Sequence, residues 1–431
     1  MHDASQPHYI AVEQLCIGLF VRIELGWLDH NFPLNSFKIK NAQQIEQIRQ
    51  LGLKEILYDP ARSDCTPLPI ASEDEAAEEA PEPLPSPPEP EENSAATEKK
   101  ARIEKLSLQR AAVAQCEKQF SQAASVLKSI TSFAFSKPKE AHRNADKLVQ
   151  QMLDSILTDK DVAIQLMNDK VAGEEVYYHS LNVSVLAVML AKELALPESD
   201  IKHLGVGCLF HDIGKMDIPD RILMKTDPLT QAEVALYQQH CRYGEAAAQK
   251  MGLPKPVIDI IVQHHEHVDG SGYPRRLKGE QISPLARIVD IVNTYDNYCN
   301  QPNPADSLTP YEALSYMFSH QRSQFEATPL NMFIRCMGVY PPGTIVRLSD
   351  LRLGMVVSVN SNKPLRPNIV VYEPSVPKEE AIMVDLQNEP DLNVSESLKP
   401  GQLPREVHDY LSPRKRMTYY FNSTQGGFPT P

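Results

Sequence analysis

The chain carries a single tryptophan in 431 residues and seven scattered cysteines. It has no apolar run approaching the roughly 20 residues that a membrane-crossing helix needs. The cysteines show no paired spacing and no Cys-x-x-Cys, and no signal-like segment follows Met1, so a reducing, cytoplasmic setting is expected. The longest apolar stretch, Leu181 to Ala191, reads as a buried helix. No basic stripe is present, which argues against a nucleic-acid polymer as ligand. There is no internal repeat. Trp27, alone, reads as packing rather than as a stacking platform. Net charge is −13, but ten acidic residues and no basic ones lie between Thr66 and Glu98, leaving −3 for the remainder. The acidity therefore describes one segment and not a binding face.

At this length two or three domains are expected. Residues 1–65 read as a small mixed α/β module: strand-like Tyr9-Ile-Ala-Val and Leu19-Phe-Val-Arg-Ile, a helix over Ala42 to Leu51, and a closing strand at Lys54 to Tyr58. The proline-dense acidic stretch 66–98 reads as a disordered linker. A connecting helix follows over 99–140, with Leu106, Val113, Phe120 and Leu127 at seven-residue intervals. This half-heptad fits an amphipathic helix packed on its own domain better than a coiled coil, though it leaves a homodimer open. Residues 141–340 carry helical periodicity almost throughout, an all-α bundle. Beyond Pro341-Pro-Gly343, three alternating segments (344–348, 354–359 and 368–372) predict a small β-rich extension over 341–412, and 413–431 read as a flexible tail. The fold class is thus mainly α.

Within the bundle lie His211-Asp212-Ile-Gly-Lys215, His264-His265-Glu266-His267 and Asp269-Gly-Ser-Gly272-Tyr273-Pro274. An adjacent His-Asp pair offers one imidazole and one carboxylate, a compact way to hold and bridge divalent cations. Lys215, four residues after His211, would leave the same helix face and neutralise a phosphoester. Glu175 and His179 are also four apart on an apolar helix. A lone histidine such as His179 or His240 is usually hydrogen-bonded in a core. A buried carboxylate such as Glu175 or Asp212 instead costs several kcal/mol unless a cation offsets it. Arginines are few here and histidines plentiful, so a metal is the favoured partner. Two carboxylates and five imidazoles exceed one tetrahedral site and suit two ions about 3.5–4 Å apart, bridged by Asp212. Mixed nitrogen and oxygen ligands suit iron or manganese, with zinc or nickel allowed by geometry. A zinc-protease reading fails, because no histidine stands three residues after Glu266.

Taken together, Glu175 four before His179, His211-Asp-Ile-Gly-Lys215, His240, His264-His265-Glu and Asp269-Gly-Ser-Gly-Tyr-Pro274 resemble the HD-GYP proteins, bacterial phosphodiesterases that hydrolyse cyclic di-GMP. The first hundred residues look like the uncharacterised domain often fused to them. The resemblance implies two or three divalent ions held by Glu175, His179, His211, Asp212, His240, His264 and His265. It implies a catalytic set of His211, Asp212 and Lys215, with Lys215 on the scissile phosphate. Substrate contacts fall to Gly272, Tyr273 and Pro274 of the loop, and Tyr273 is a point of contact for diguanylate cyclase (GGDEF) partners. The products implied are pGpG and GMP. The chain departs from the family twice. Asn293 stands where a ligating aspartate is usual, with Asp290 and Asp296 three residues to either side and close enough to compensate. The family's arginine after that helix is replaced by Gln301-Pro-Asn-Pro304. These departures leave two other readings: a catalytically weak module that works by binding cyclic di-GMP or a cyclase, and a different HD-superfamily nucleotide phosphohydrolase. His203, His267 and His320 are given no role.

Overall fold

A computed structural model of the chain describes residues 8–24, 32, 36–69, 107, 111, 118–158, 164–166, 175–359, 363–412 and 419–421. It forms two compact units, one of residues 1–107 with 373–381 and the other of 108–372 with 382–431.

In the first unit β1 (His8–Ala11), β2 (Phe20–Arg22), β3 (Ser36–Lys38) and β4 (Glu55–Tyr58) make an antiparallel sheet in the order β1-β4-β2-β3. Helix α1 (Ala42–Gln50) starts at Asn41, whose side chain accepts the Gln44 N–H at 3.0 Å. Leu15, Leu19, Val21, Ile23, Ile48 and Ile56 close the core between helix and sheet. The mixed module expected from the sequence is present. Strand β3 was not foreseen, since three residues are too few to show alternation. Trp27 and residues 70–98 of the acidic stretch lie outside the described residues.

The second unit is built of helices: α2 (118–133), α3 (Pro138–Thr158), α4 (Glu175–Glu193), α5 (Glu198–Phe210), the short α6 (Asp220–Leu223) and α7 (Gln231–Tyr237), α8 (His240–Met251), α9 (Lys255–Gln263), α10 (Pro284–Cys299), α11 (Pro310–His320) and α12 (Ala327–Met337). Helix α4 runs through the centre, and every residue from Leu181 to Ala191 is buried. A helix apolar all round has no solvent face to present, and α4 packs on α5, α10 and α12. Phe120 and Leu127 of α2 join this same core, as an own-domain helix requires, while Leu106 and Val113 lie outside the described residues. The bundle is not wholly helical, because β5 (Ile164–Leu166) interrupts it.

After the bundle, β6 (Ile345–Leu348), β7 (Leu353–Ser358), β8 (Asn368–Val371), β9 (Ile382–Asp385) and β10 (Val394–Leu398) form an antiparallel sheet in the order β10-β6-β7-β8-β9. The three strands expected from alternation are the inner ones. The two missed, β9 and β10, are the edges, where one-sided cover leaves a weaker pattern (Val394-Ser-Glu-Ser-Leu398). Helix α13 (Arg405–Leu411) seats Val407 and Leu411 beside Ile345. Within the expected tail, β11 (Tyr419–Phe421) pairs antiparallel with β5, a non-local partnership that tail composition could not announce.

Candidate metal centre

Helix α5 is apolar from Leu204 to Phe210 and ends at His211. Asp212 (φ −101°, ψ 9°) leaves helical geometry, and Ile213–Asp217 continue as a 3-10 turn. The expectation that Lys215 shares a helix face with His211 is therefore corrected: the tighter turn brings Lys215 Nζ to 2.6 Å from Asp212 Oδ2. The turn is possible because Gly214 lies flat against the start of α8. A Cβ there would stand 2.0 Å from the His240 carbonyl oxygen and 2.4 Å from the Gly244 nitrogen. This close approach of backbones delivers His240, the first residue of α8, to Asp212. His264 and His265 follow the end of α9, and His179 comes from the first turns of α4.

The histidines are oriented by one repeated device. The Nδ1 atoms of His211, His240 and His264 lie 2.7, 2.7 and 2.9 Å from the carbonyl oxygens of Cys208, Tyr237 and Ile261, each three residues back. A carbonyl can only accept, so each Nδ1 carries the proton and each Nε2 keeps a lone pair. His179 Nδ1 likewise donates to Asp296 Oδ2 at 2.6 Å. The freed Nε2 atoms then face one another in pairs, His179 with His211 at 3.2 Å and His240 with His264 at 3.3 Å. Two lone pairs at that distance have no hydrogen to share.

Asp212 sits between the pairs. Its Oδ2 lies 3.3 Å from His211 Nε2 and 3.7 Å from His179 Nε2, and its Oδ1 lies 3.6 Å from both His240 and His264 Nε2. Among the described residues Asp212 Oδ1 and His265 Nε2 are buried without a hydrogen-bond partner. Two groups result, Asp212 with His240, His264 and His265, and His179 with His211 and Asp212, each compact enough to hold an ion. Facing lone pairs and orphaned buried acceptors are what a cation satisfies, so the residues present fit divalent metals.

Electrostatics agree. Burial pushes Asp212 upward, but its surroundings, the Lys215 ammonium first, outweigh this and hold the carboxyl well below the usual range. Burial would depress the Lys215 ammonium, but Asp212 keeps it protonated above its ordinary value. Burial lowers His240, lowers His264 to about 3 and lowers His265 well below the imidazole range, keeping all three neutral, the form that ligates. His211, His240 and His264 are fully buried, while His179, Lys215 and His265 are only partly covered and form the open side.

The Gly-Tyr-Pro loop lies over His265. Gly272 is buried, and a Cβ on it would meet the His265 oxygen at 2.3 Å and the His267 nitrogen at 2.4 Å. Its part is to let the loop in. Tyr273 donates its N–H to the His265 carbonyl at 3.0 Å and stacks its ring on His265 at 4.5 Å, before a cis bond to the half-buried Pro274. The loop is tied down by Glu266, whose fully buried carboxylate accepts the N–H groups of Arg275 (2.6 Å) and Leu277 (2.8 Å).

The side chain of Glu175 lies outside the described residues. Asn293 is buried on α10, its Oδ1 accepting from Asn297 at 3.2 Å. Neither neighbour compensates for it directly. Asp296 is engaged by His179, Asn182 (2.9 Å) and Asn300 (3.0 Å), and Asp290 bonds His267 Nδ1 at 3.1 Å. His267 thus has a structural partner, and Asp296 is a positioning residue that three-residue spacing in α10 could not assign to any face. Gln301 folds back onto the Asn297 carbonyl at 2.7 Å. Tyr237 was also missed. The Lys215 ammonium lies 5.4 Å from its ring centroid, and burial raises its phenol, so the hydroxyl stays neutral. No residue pattern marks it, because α7 meets the turn only in three dimensions.

Comparison with known proteins gives the lineage. The HD domain model matches residues 151–328, and a domain of unknown function (DUF3391) matches residues 8–166, past the first hundred residues. A cyclic di-GMP phosphodiesterase of Pseudomonas aeruginosa is 30% identical over 368 residues, 84% of this chain and 84% of its own. A 3'3'-cGAMP-specific phosphodiesterase of Vibrio cholerae is 32% identical over 159 residues, 37% of this chain and 33% of its own. A response regulator of Xanthomonas campestris, named as a cyclic di-GMP phosphodiesterase, is 30% identical over 156 residues, 36% of this chain and 41% of its own.

Proposed function

The chain belongs to the HD-GYP family of HD-domain phosphodiesterases, and on that premise we propose that it is a metal-dependent hydrolase of cyclic di-GMP, releasing pGpG or GMP. The observation that carries this reading is the splitting of Asp212 between two sets of Nε2 lone pairs. His179, His211 and Asp212 would hold one ion. Asp212, His240, His264 and His265 would hold the other, with the Asn293 amide oxygen as a neutral supplement on the α10 side. When bound, such ions supply Lewis acidity, making a water nucleophilic at neutral pH and stabilising the displaced 3′ oxygen. Iron or manganese would suit this mixed nitrogen and oxygen donor set.

The protein's own residues do the rest. Lys215, held protonated by Asp212 and flanked by Tyr237, can neutralise a non-bridging phosphate oxygen in a partly desolvated site, where charge stabilisation is strongest. Tyr273 and Pro274 wall the entrance over His265 and offer a flat face against which a purine can rest. Overlap with the Vibrio cholerae enzyme favours 3'3'-cGAMP as a second substrate to test. The test is turnover of both dinucleotides by protein loaded anaerobically with iron or manganese, with product chromatography and elemental analysis. His211→Ala and Asp212→Ala should lose bound metal and all hydrolysis while keeping the helical circular dichroism. Retained turnover in either would remove the proposed centre. Metal-replete protein that binds a dinucleotide without cleaving it would establish a binding module instead.

A further inference from the structure

The seven cysteines look unrelated in sequence, yet two of them meet. Cys16, in the loop after β1, and Cys65, just beyond β4, place their sulfurs 3.1 Å apart although 49 residues separate them. Both are partly exposed, whereas Cys208, Cys241, Cys299 and Cys336 are buried. The contact is built by the backbone. Gly18, at φ +102°, turns the loop so closely that a Cβ there would reach 3.2 Å from Cys65 Sγ. The segment carrying Cys65 is pinned across this loop by Asp64 N–H to the Gly18 carbonyl (2.9 Å), Leu68 N–H to the Gln14 carbonyl (2.9 Å), and the Gln14 amide to the Leu68 carbonyl (3.0 Å). Each sulfur also lies near the opposing backbone, Cys16 by the Thr66 carbonyl at 3.4 Å and Cys65 by the Ile17 carbonyl at 3.1 Å.

We propose that Cys16 and Cys65 form a reversible dithiol–disulfide site, oxidised by thiol exchange with a small disulfide. A disulfide needs about 2.05 Å between sulfurs, so closure asks for a movement of about 1 Å by two side chains whose backbones are already held. One cysteine thiolate attacks the small disulfide, its S–S bond breaks, and one small thiolate leaves. The other cysteine thiolate then displaces the second, forming the Cys16–Cys65 bond. Two protein thiols are oxidised, one small disulfide is reduced to two thiols, and the two cysteine protons end on them. The bond would join the β1–β2 loop to the segment from which the acidic stretch departs, fixing that point of exit. Burial and then the Cys65 contact push the Cys16 thiol up to about 11. Closure should therefore speed up as pH rises.

The test uses the full chain in glutathione buffers of graded redox ratio, quenched in acid, alkylated and mapped by non-reducing mass spectrometry. The expected result is a Cys16–Cys65 cross-linked peptide that rises with the oxidised fraction, disappears with dithiothreitol, and is absent in Cys16→Ser and Cys65→Ser. The free-thiol count should fall from seven to five, with the remaining cysteines still reduced. Separate glutathione adducts on each cysteine without a cross-link would overturn the proposal. So would cross-linking that appears only above the unfolding transition. Circular dichroism and thermal unfolding of the serine variants under reducing conditions check that they fold.

Discussion

Gly214→Ala isolates how the centre is assembled, because the residue touches no metal or substrate yet sets where Asp212 and His240 meet. An alanine Cβ would stand 2.0 Å from the His240 carbonyl oxygen and 2.4 Å from the Gly244 nitrogen. Ordinary carbon–oxygen contact begins at about 3.3 Å, so the turn and α8 must part by about 1 Å. Both neighbours are backbone and cannot rotate away. Overpacking of this kind costs about 3 kcal/mol, which in a domain of this size lowers Tm by about 6–12 °C. The centre is more sensitive still, since ligand distances tolerate only about 0.2 Å. Parting the turn from α8 separates Asp212 from His240, and misplacement of about 1 Å costs about a hundredfold in turnover. Differential scanning calorimetry, elemental analysis and turnover should therefore report a folded, less stable protein with depleted metal. Gly244→Ala should be milder, since its Cβ meets the Ile261 side chain at 2.7 Å and no backbone atom closer than 3.6 Å, and Gly401→Ala, with nothing within 4 Å, should be neutral. Full metal content and turnover within about twofold of the parent in Gly214→Ala would refute the packing argument.

Asp296→Asn should lower metal affinity by about ten- to a hundredfold, because His179 loses the carboxylate that fixes its tautomer, and metal titration checks this. Asn293→Asp should raise metal occupancy at limiting metal, and no change would mean that position 293 is not a ligand. Tyr237→Phe removes the hydroxyl beside Lys215. It should reduce kcat about tenfold with metal content unchanged, and an unchanged kcat would make Tyr237 a packing residue only.

Much of the site was legible because its residue types are chemically extreme. A His-Asp pair, a double histidine and a carboxylate among apolar neighbours have few stable uses apart from a cation. The helix over Leu181 to Ala191 was equally plain, because an apolar run of that length exceeds an ordinary buried strand. Spacing misled where the backbone changed state. His211 and Lys215 read as one face, but the chain turns into 3-10 geometry at Asp212 under the contact of Gly214 with α8. Asp290 and Asp296 looked interchangeable as substitutes for Asn293. Their rotations on α10 send one to His267 and the other to His179.

The sequence by itself determined which chemistry is available: imidazoles, an acid beside one of them, one lysine, and an apolar framework able to exclude water. Only the tertiary structure decided which oxygen of Asp212 faces which histidines, which carboxylate orients His179, and that Cys16 meets Cys65. Residue type and period are local properties of a chain. Facing lone pairs and touching sulfurs depend on contacts between segments tens of residues apart, and only the packed backbone sets those.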